Sequence, residues 1–202
     1  MTSLELSAAT RRLLLWRGLR LEYATIAWNV VGSVLVLTAA AAARSVALAG
    51  FGLDSLIEIV ASLVVVWQLK GTDKGRERKA LRVIGYAFML LALYIGAQSL
   101  YVLAAGFRPQ HSLLGIVWLA LTALTMFALA YGKSTTGRAL GNRVLETEAR
   151  VTVIDGLLAL AVLAGLALNA DLGWWWADPL AALVIVYYGF REGSAALKQA
   201  GA

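Results

Sequence analysis

The chain has no cysteine, one histidine in 202 residues, and only 15% charged residues. Without cysteine there is no disulfide scaffold, and so little charge beside 60% apolar residues excludes a disordered tail. A soluble domain of this length would interleave far more charge with its apolar residues. Sequence signatures of common enzymes are missing as well: there is no HExxH, no paired histidines, no phosphate-binding glycine loop and no nucleophile elbow. Neither an enzyme nor a bound cofactor is therefore expected, and His111, in a short outer loop, receives no function. A mean hydropathy of +0.75 points instead to a polytopic membrane protein.

What is present is a series of long apolar runs, each with the roughly 20 residues needed to cross about 30 Å of hydrocarbon as a helix. They fall at about Glu22–Ala42, Ser45–Leu69, Ala80–Ala105, Leu113–Tyr131, Glu148–Asn169 and Asp178–Leu197. The expected fold is an all-α membrane protein, a bundle of six transmembrane helices. Residues 1–21 form an N-terminal cytoplasmic amphipathic segment in which Leu13, Leu14, Leu15 and Trp16 mix with arginines. Residues 22–197 form the six-helix transmembrane domain and 198–202 a short cytoplasmic tail.

Orientation follows from the basic residues, which short cytoplasmic loops retain. Four arginines precede the first span, six bases flank the second and third, four lie between the fourth and fifth, and Arg191 and Lys198 end the sixth. Sixteen of the 18 bases then share one side, with Arg44 and Arg108 opposite. Both termini are expected in the cytoplasm, and the location is a cell membrane, a bacterial inner membrane being the expected one. Because topology accounts for the net charge of +6, nucleic acid is not an expected partner. The small-residue run Ala39–Ala43 resembles a signal-peptidase site, but the span before it is longer than a signal h-region, so an uncleaved first helix is expected. Trp174, Trp175, Trp176 and Trp67 read as an aromatic belt, and Asp178-Pro179 as the cap and first turn of the sixth helix.

Acids at membrane depth are costly and point to function. Asp54 and Glu58 are one helical turn apart, on a face that Gly50 and Ser62 continue; Glu148, Thr152, Asp155 and Ala159 share a face of the fifth helix. At about 1.5 Å of rise per residue, Asp54, Glu58 and Asp155 lie roughly 12, 18 and 21 Å from the outer side, close enough to share one layer. With no lysine or arginine expected in the central part of any span, the acids lack a positive partner. A divalent cation would relieve their repulsion, and carboxylates that exchange it for protons would couple transport to proton movement. Asp54, Glu58 and Asp155 are the expected metal ligands and proton carriers, with Glu148 at the cytoplasmic entrance of the fifth helix attracting or relaying the ion. Asn29, Gln98 and Ser99 are auxiliary candidates, equally readable as polar glue between helices. The acidic helices are the second of each group of three, and the two groups enter from opposite sides, as in inverted-repeat transporters.

The stretch Ser45-Val-Ala-Leu-Ala-Gly-Phe-Gly-Leu-Asp54-Ser55-Leu-Ile-Glu58, with Asp155 and Asp178-Pro179-Leu180-Ala181, resembles the cation diffusion facilitator family of divalent-metal/proton antiporters. The resemblance covers about Glu22 to Leu197. It implies export of a divalent metal against protons, zinc first, and a homodimer. In the family a histidine commonly precedes the fifth-helix acid by four residues; here that position is Val151. An all-oxygen first shell weakens the inference to zinc and raises the standing of manganese, iron(II) or another oxygen-tolerant ion; cadmium is a further alternative for the cargo. Family members usually continue into a cytoplasmic metal-binding domain and some carry a histidine-rich loop. Neither appears here, so dimerisation is expected through the membrane helices, where the Ala- and Gly-rich faces of the third and sixth spans would pack. Two other readings stay open: a transporter of a small organic cation, and a non-transporting interaction protein whose acids only organise the bundle.

Overall fold

A computed structural model describes residues 7–43, 46–70, 74–106 and 112–201. Arg44, Ser45, Arg108 and His111 lie outside the described residues, as do the first six residues of the N-terminal segment. Among the described residues there are six helices and no strand: α1 Ala8–Ala43, α2 Val46–Leu69, α3 Lys74–Ala105, α4 Leu113–Leu140, α5 Arg143–Leu172 and α6 Ala177–Gly201. The helices α1 to α5 contain segments long and apolar enough to cross a membrane. The exterior is correspondingly apolar, with Val34, Leu63, Leu90, Leu100 and Leu124 each at least half exposed, while Asp54, Glu58, Glu148 and Asp155 are buried. Polar inside and apolar outside is the arrangement that lipid demands of a multi-pass membrane protein.

Every helix but α2 runs further than hydropathy suggests, α1 and α4 furthest of all. Ser7 Oγ accepts from Thr10 N at 3.2 Å, and α1 then continues unbroken for 36 residues, so the arginine-rich segment is the first part of the same helix. Ser112 caps α4 by accepting from Gly115 N at 3.1 Å, and the helix continues past Tyr131 to Leu140. It stops at Gly141, whose φ of 61° is the left-handed conformation glycine adopts without steric cost. Asn142 follows, donating from its backbone N to Gly137 O at 2.9 Å and accepting from Leu145 N on its side-chain Oδ1 at 2.9 Å. This turn closes an antiparallel α4/α5 hairpin. Counting outward from it along each helix places Lys133 about 12 Å and Glu148 about 9 Å from the turn, a difference that the long lysine side chain spans. α6 begins at Ala177, which puts Asp178 and Pro179 in its first turn; their side chains are outside the description.

Helices α1, α2, α5 and α4 contact one another in that cyclic order, and α3 with α6 forms a second pair against α2 and α5. On the seam between α1 and α4, Trp28 and Trp118 stack at 4.8 Å and Trp28 Nε1 donates to Thr122 Oγ1 at 3.1 Å. The small-residue faces of the third and sixth helices, expected to join two copies, meet each other within one chain. A Cβ on Gly193 would lie 3.0 Å from both Gly85 O and Phe88 Cβ, and one on Gly85 would lie 2.7 Å from Leu197 Cγ. Close backbone approach replaces side-chain interdigitation here, which is how helices gain dispersion contact without a hydrophobic driving force. Gly193→Val is accordingly expected to destabilise the fold by about 1–3 kcal/mol through overpacking, read as a lowered melting temperature in detergent.

Candidate cation site

Along α1 the buried residues Gly18, Glu22, Thr25, Asn29, Ser33 and Val36 recur every three or four positions, a stripe facing the bundle. α2 turns Asp54, Ser55, Glu58 and Ser62 inward, α4 turns Thr122, Lys133 and Thr136 inward, and α5 turns Glu148, Thr152 and Asp155 inward. The four stripes meet in a polar column inside the ring of α1, α2, α5 and α4. Among the described residues it holds five acids, Glu22, Asp54, Glu58, Glu148 and Asp155, and one base, Lys133, all no more than 3% exposed.

The column has two parts. In one, the ammonium of Lys133 donates to Glu148 Oε1 at 2.6 Å and lies 2.6 Å from Glu148 Oε2. It also donates to Thr152 Oγ1 at 3.0 Å and stands 3.2 Å from Glu22 Oε2. Glu148 and Thr152 thus take its hydrogen bonds, while Glu22 is held by charge alone. Thr152 Oγ1 is in turn 2.9 Å from Glu58 Oε1, as donor, and Ser62 Oγ donates to Glu148 Oε1 at 3.2 Å. Lys133 links Glu22 on α1 and Glu148 on α5, and reaches Glu58 on α2 through Thr152.

The expectation that no lysine lies among the buried acids is thereby overturned: Lys133 is inside the bundle and pairs with Glu148 and Glu22, while Asp54, Glu58 and Asp155 have no ion pair among the described residues. Lys133 read as a flanking charge because it follows Tyr131, the last residue of the apolar run. In the structure α4 carries it inside, and the hairpin turn sets it opposite Glu148. Glu148 is likewise completely buried rather than standing at an open entrance, with both oxygens engaged by Lys133.

The other part is different. Asp54 on α2 and Asp155 on α5 bring their carboxyls within hydrogen-bonding range of each other. Asp54 Oδ2 and both carboxyl oxygens of Asp155 are buried without a donor among the described residues, as are both oxygens of Glu22, but Glu22 has the Lys133 charge at 3.2 Å whereas the aspartates face only each other. Two carboxyls that face one another need a shared proton or a cation between them. The structure thus brings two of the expected ligands together and leaves three of their four oxygens without a donor among the described residues. Glu58, one turn along α2 from Asp54, is committed through Thr152 to the lysine side. Among the described residues no group of three His, Cys, Asp or Glu side chains forms a ready metal cage.

The auxiliary candidates are placed as follows. Asn29 is buried and its Nδ2 donates to Thr25 O on its own helix at 3.1 Å. Ser99 is buried, and the Gln98 amide packs closely against Gly50 of α2. Val151 belongs to the hydrophobic core. Glu22 and Lys133 were missed from the sequence. Their signal was positional: Glu22 falls on the small and polar stripe Gly18, Thr25, Asn29 of α1, and Lys133 continues Thr122, Met126, Ala130 of α4 at helical spacing.

No family model matches the chain. Transmembrane protein 163 of Xenopus laevis is 22% identical over 186 residues, which cover 87% of this chain and 66% of that protein. The chain therefore spans just under two thirds of that relative's length, and the likeness extends over most of the helical bundle.

Proposed function

We propose that this membrane protein is a secondary transporter that carries a divalent metal cation and exchanges it for protons at the buried carboxylates. The observation that carries this reading is the Asp54/Asp155 pair: two acids from different helices within hydrogen-bonding range, with three oxygens lacking any donor among the described residues. A multivalent cation and a proton are the two species that satisfy such a pair, and transport by antiport needs a site that takes either. Asp54 and Asp155 are the ligands, Glu58 the acid next along the column, and Glu148 with Glu22 the inner acids held by Lys133. Oxygen-only ligands admit zinc, manganese, iron(II) and cadmium.

The supporting topology has six spans and both termini in the cytoplasm. With Lys133 withdrawn from the flanking charges, 15 of the other 17 bases still fall on the proposed inner side. Six spans give α2 and α5 opposite directions, so their acidic stripes meet from the two sides at mid-depth, as in inverted-repeat transporters. A cell-membrane location and a homodimer complete the proposal.

The test is metal-driven proton movement in proteoliposomes of the purified protein, with zinc, manganese, iron(II), cadmium and magnesium in turn. Flux with at least one metal, lost in Asp54→Ala, is the expected result. Silence with every metal from folded protein would overturn the reading and favour an organic-cation carrier or a membrane interaction protein.

A further inference from the structure

We propose that Lys133 is a tethered stand-in for the transported cation, whose ammonium holds the inner carboxylates while the site is empty and competes with the incoming ion for them. The inference rests on the transport reading and assigns a role to the one base in the polar column.

Geometry supports it. The column carries five acids against a single base, all buried. The ammonium is placed as a bound cation would be, against two oxygens of Glu148, near Glu22 Oε2 and on Thr152 Oγ1, and Thr152 relays it to Glu58. An ion leaving Asp54/Asp155 along α2 and α5 next meets Glu58, one turn from Asp54, and then Glu148, one turn beyond Thr152. Those carboxylates are already occupied. A divalent ion entering them must displace the ammonium and work against its charge, whereas the lysine stays at high effective concentration because it is covalently attached. Its flexible four-carbon stem lets the charged end move while α4 stays in place. The consequence is weak, reversible binding, which a carrier needs if the ion is to be released.

A purely structural pin would behave differently. Removing a pin loosens the bundle and weakens every ligand, whereas removing a competitor tightens cation binding. The experiment measures melting of the full-length detergent-purified protein against titrated zinc and manganese. Lys133→Gln is expected to bind the transported metal about tenfold or more tightly than the wild type, with a larger metal-dependent rise in melting temperature. Lys133→Arg, which keeps the charge, is expected to stay within a few-fold of the wild type. If Lys133→Gln does not fold without metal, Lys133→Gln combined with Glu22→Gln removes one charge of each sign and is read by the same criterion. Unchanged or weakened metal affinity in the neutral variant overturns the inference. When the wild type still shows Asp54-dependent flux, that result leaves the transport reading standing; a wild type that neither binds nor moves any metal overturns both.

Discussion

Asp155→Asn is expected to reduce metal-driven proton flux to the level of protein-free vesicles while the melting temperature stays equal to or above that of the wild type. The substitution is close to isosteric, and the amide supplies a donor to Asp54 Oδ2, which the protein otherwise leaves without one. The neighbouring core, with Ile154 and Leu158 buried beside it, is untouched. What disappears is the negative charge and one of the two oxygens on the α5 side of the site. A hard cation then loses both a ligand and the charge that draws it into low dielectric. The check is paired: flux in proteoliposomes and melting in detergent from the same preparation. Normal flux would remove Asp155 from the ion path, and loss of flux together with loss of folding would make it a structural residue.

Lys133→Met is expected to produce the largest loss of stability of any single substitution in the polar column, about 3–5 kcal/mol. Methionine fills much of the lysine's volume, so the cost is electrostatic. Glu148 would keep Ser62 as a donor but lose an ammonium 2.6 Å from each of its oxygens, and Glu22 would lose its ion-pair partner. Breaking a buried pair from one side leaves an uncompensated charge, which is dearer than removing both partners. Adding Glu148→Gln to Lys133→Met should therefore recover part of the loss, and a double-mutant cycle from melting curves gives the coupling. Additive effects would show that the pair contributes nothing beyond its separate side chains. Saturating divalent metal should narrow the gap between Lys133→Met and wild type, because a cation then takes the place of the missing ammonium.

These two substitutions address the two parts of the column, and the difference between them is one of partners. Asp54 and Asp155 face each other with free oxygens, and neutralising one relieves repulsion while removing a ligand. Glu22 and Glu148 are bound to a lysine, and neutralising that lysine creates repulsion. On the proposed transport reading, the two parts in line supply a place where an ion is wanted and a place where a resident charge resists it. That ordering requires the ring of α1, α2, α5 and α4, since no single helix supplies more than two of the five acids.

Much of this was determined by sequence alone. Long apolar runs with few charges dictate a helical membrane bundle, because backbone groups in lipid must be satisfied within each helix. Acid spacing along α2 and α5 dictates that Asp54 and Glu58 share one face and Thr152 and Asp155 another, because helical periodicity is local. Tertiary structure alone decided the partners. A hydropathy run that ends at Tyr131 says nothing of whether the helix continues, and Lys133 two residues later reads equally as a flanking charge or a buried one. The Gly141-Asn142 turn settles the matter by folding α5 back on α4 and setting Lys133 against Glu148. Glu22, at the edge of its apolar run, is likewise claimed by a lysine 111 positions away. The faces of α3 and α6 follow the same logic: small residues mark a surface for close packing, but only the packed bundle shows that Gly85 and Gly193 belong to one seam within the chain. Periodicity is a property of neighbours in sequence, whereas charge pairing and close backbone approach belong to neighbours in space.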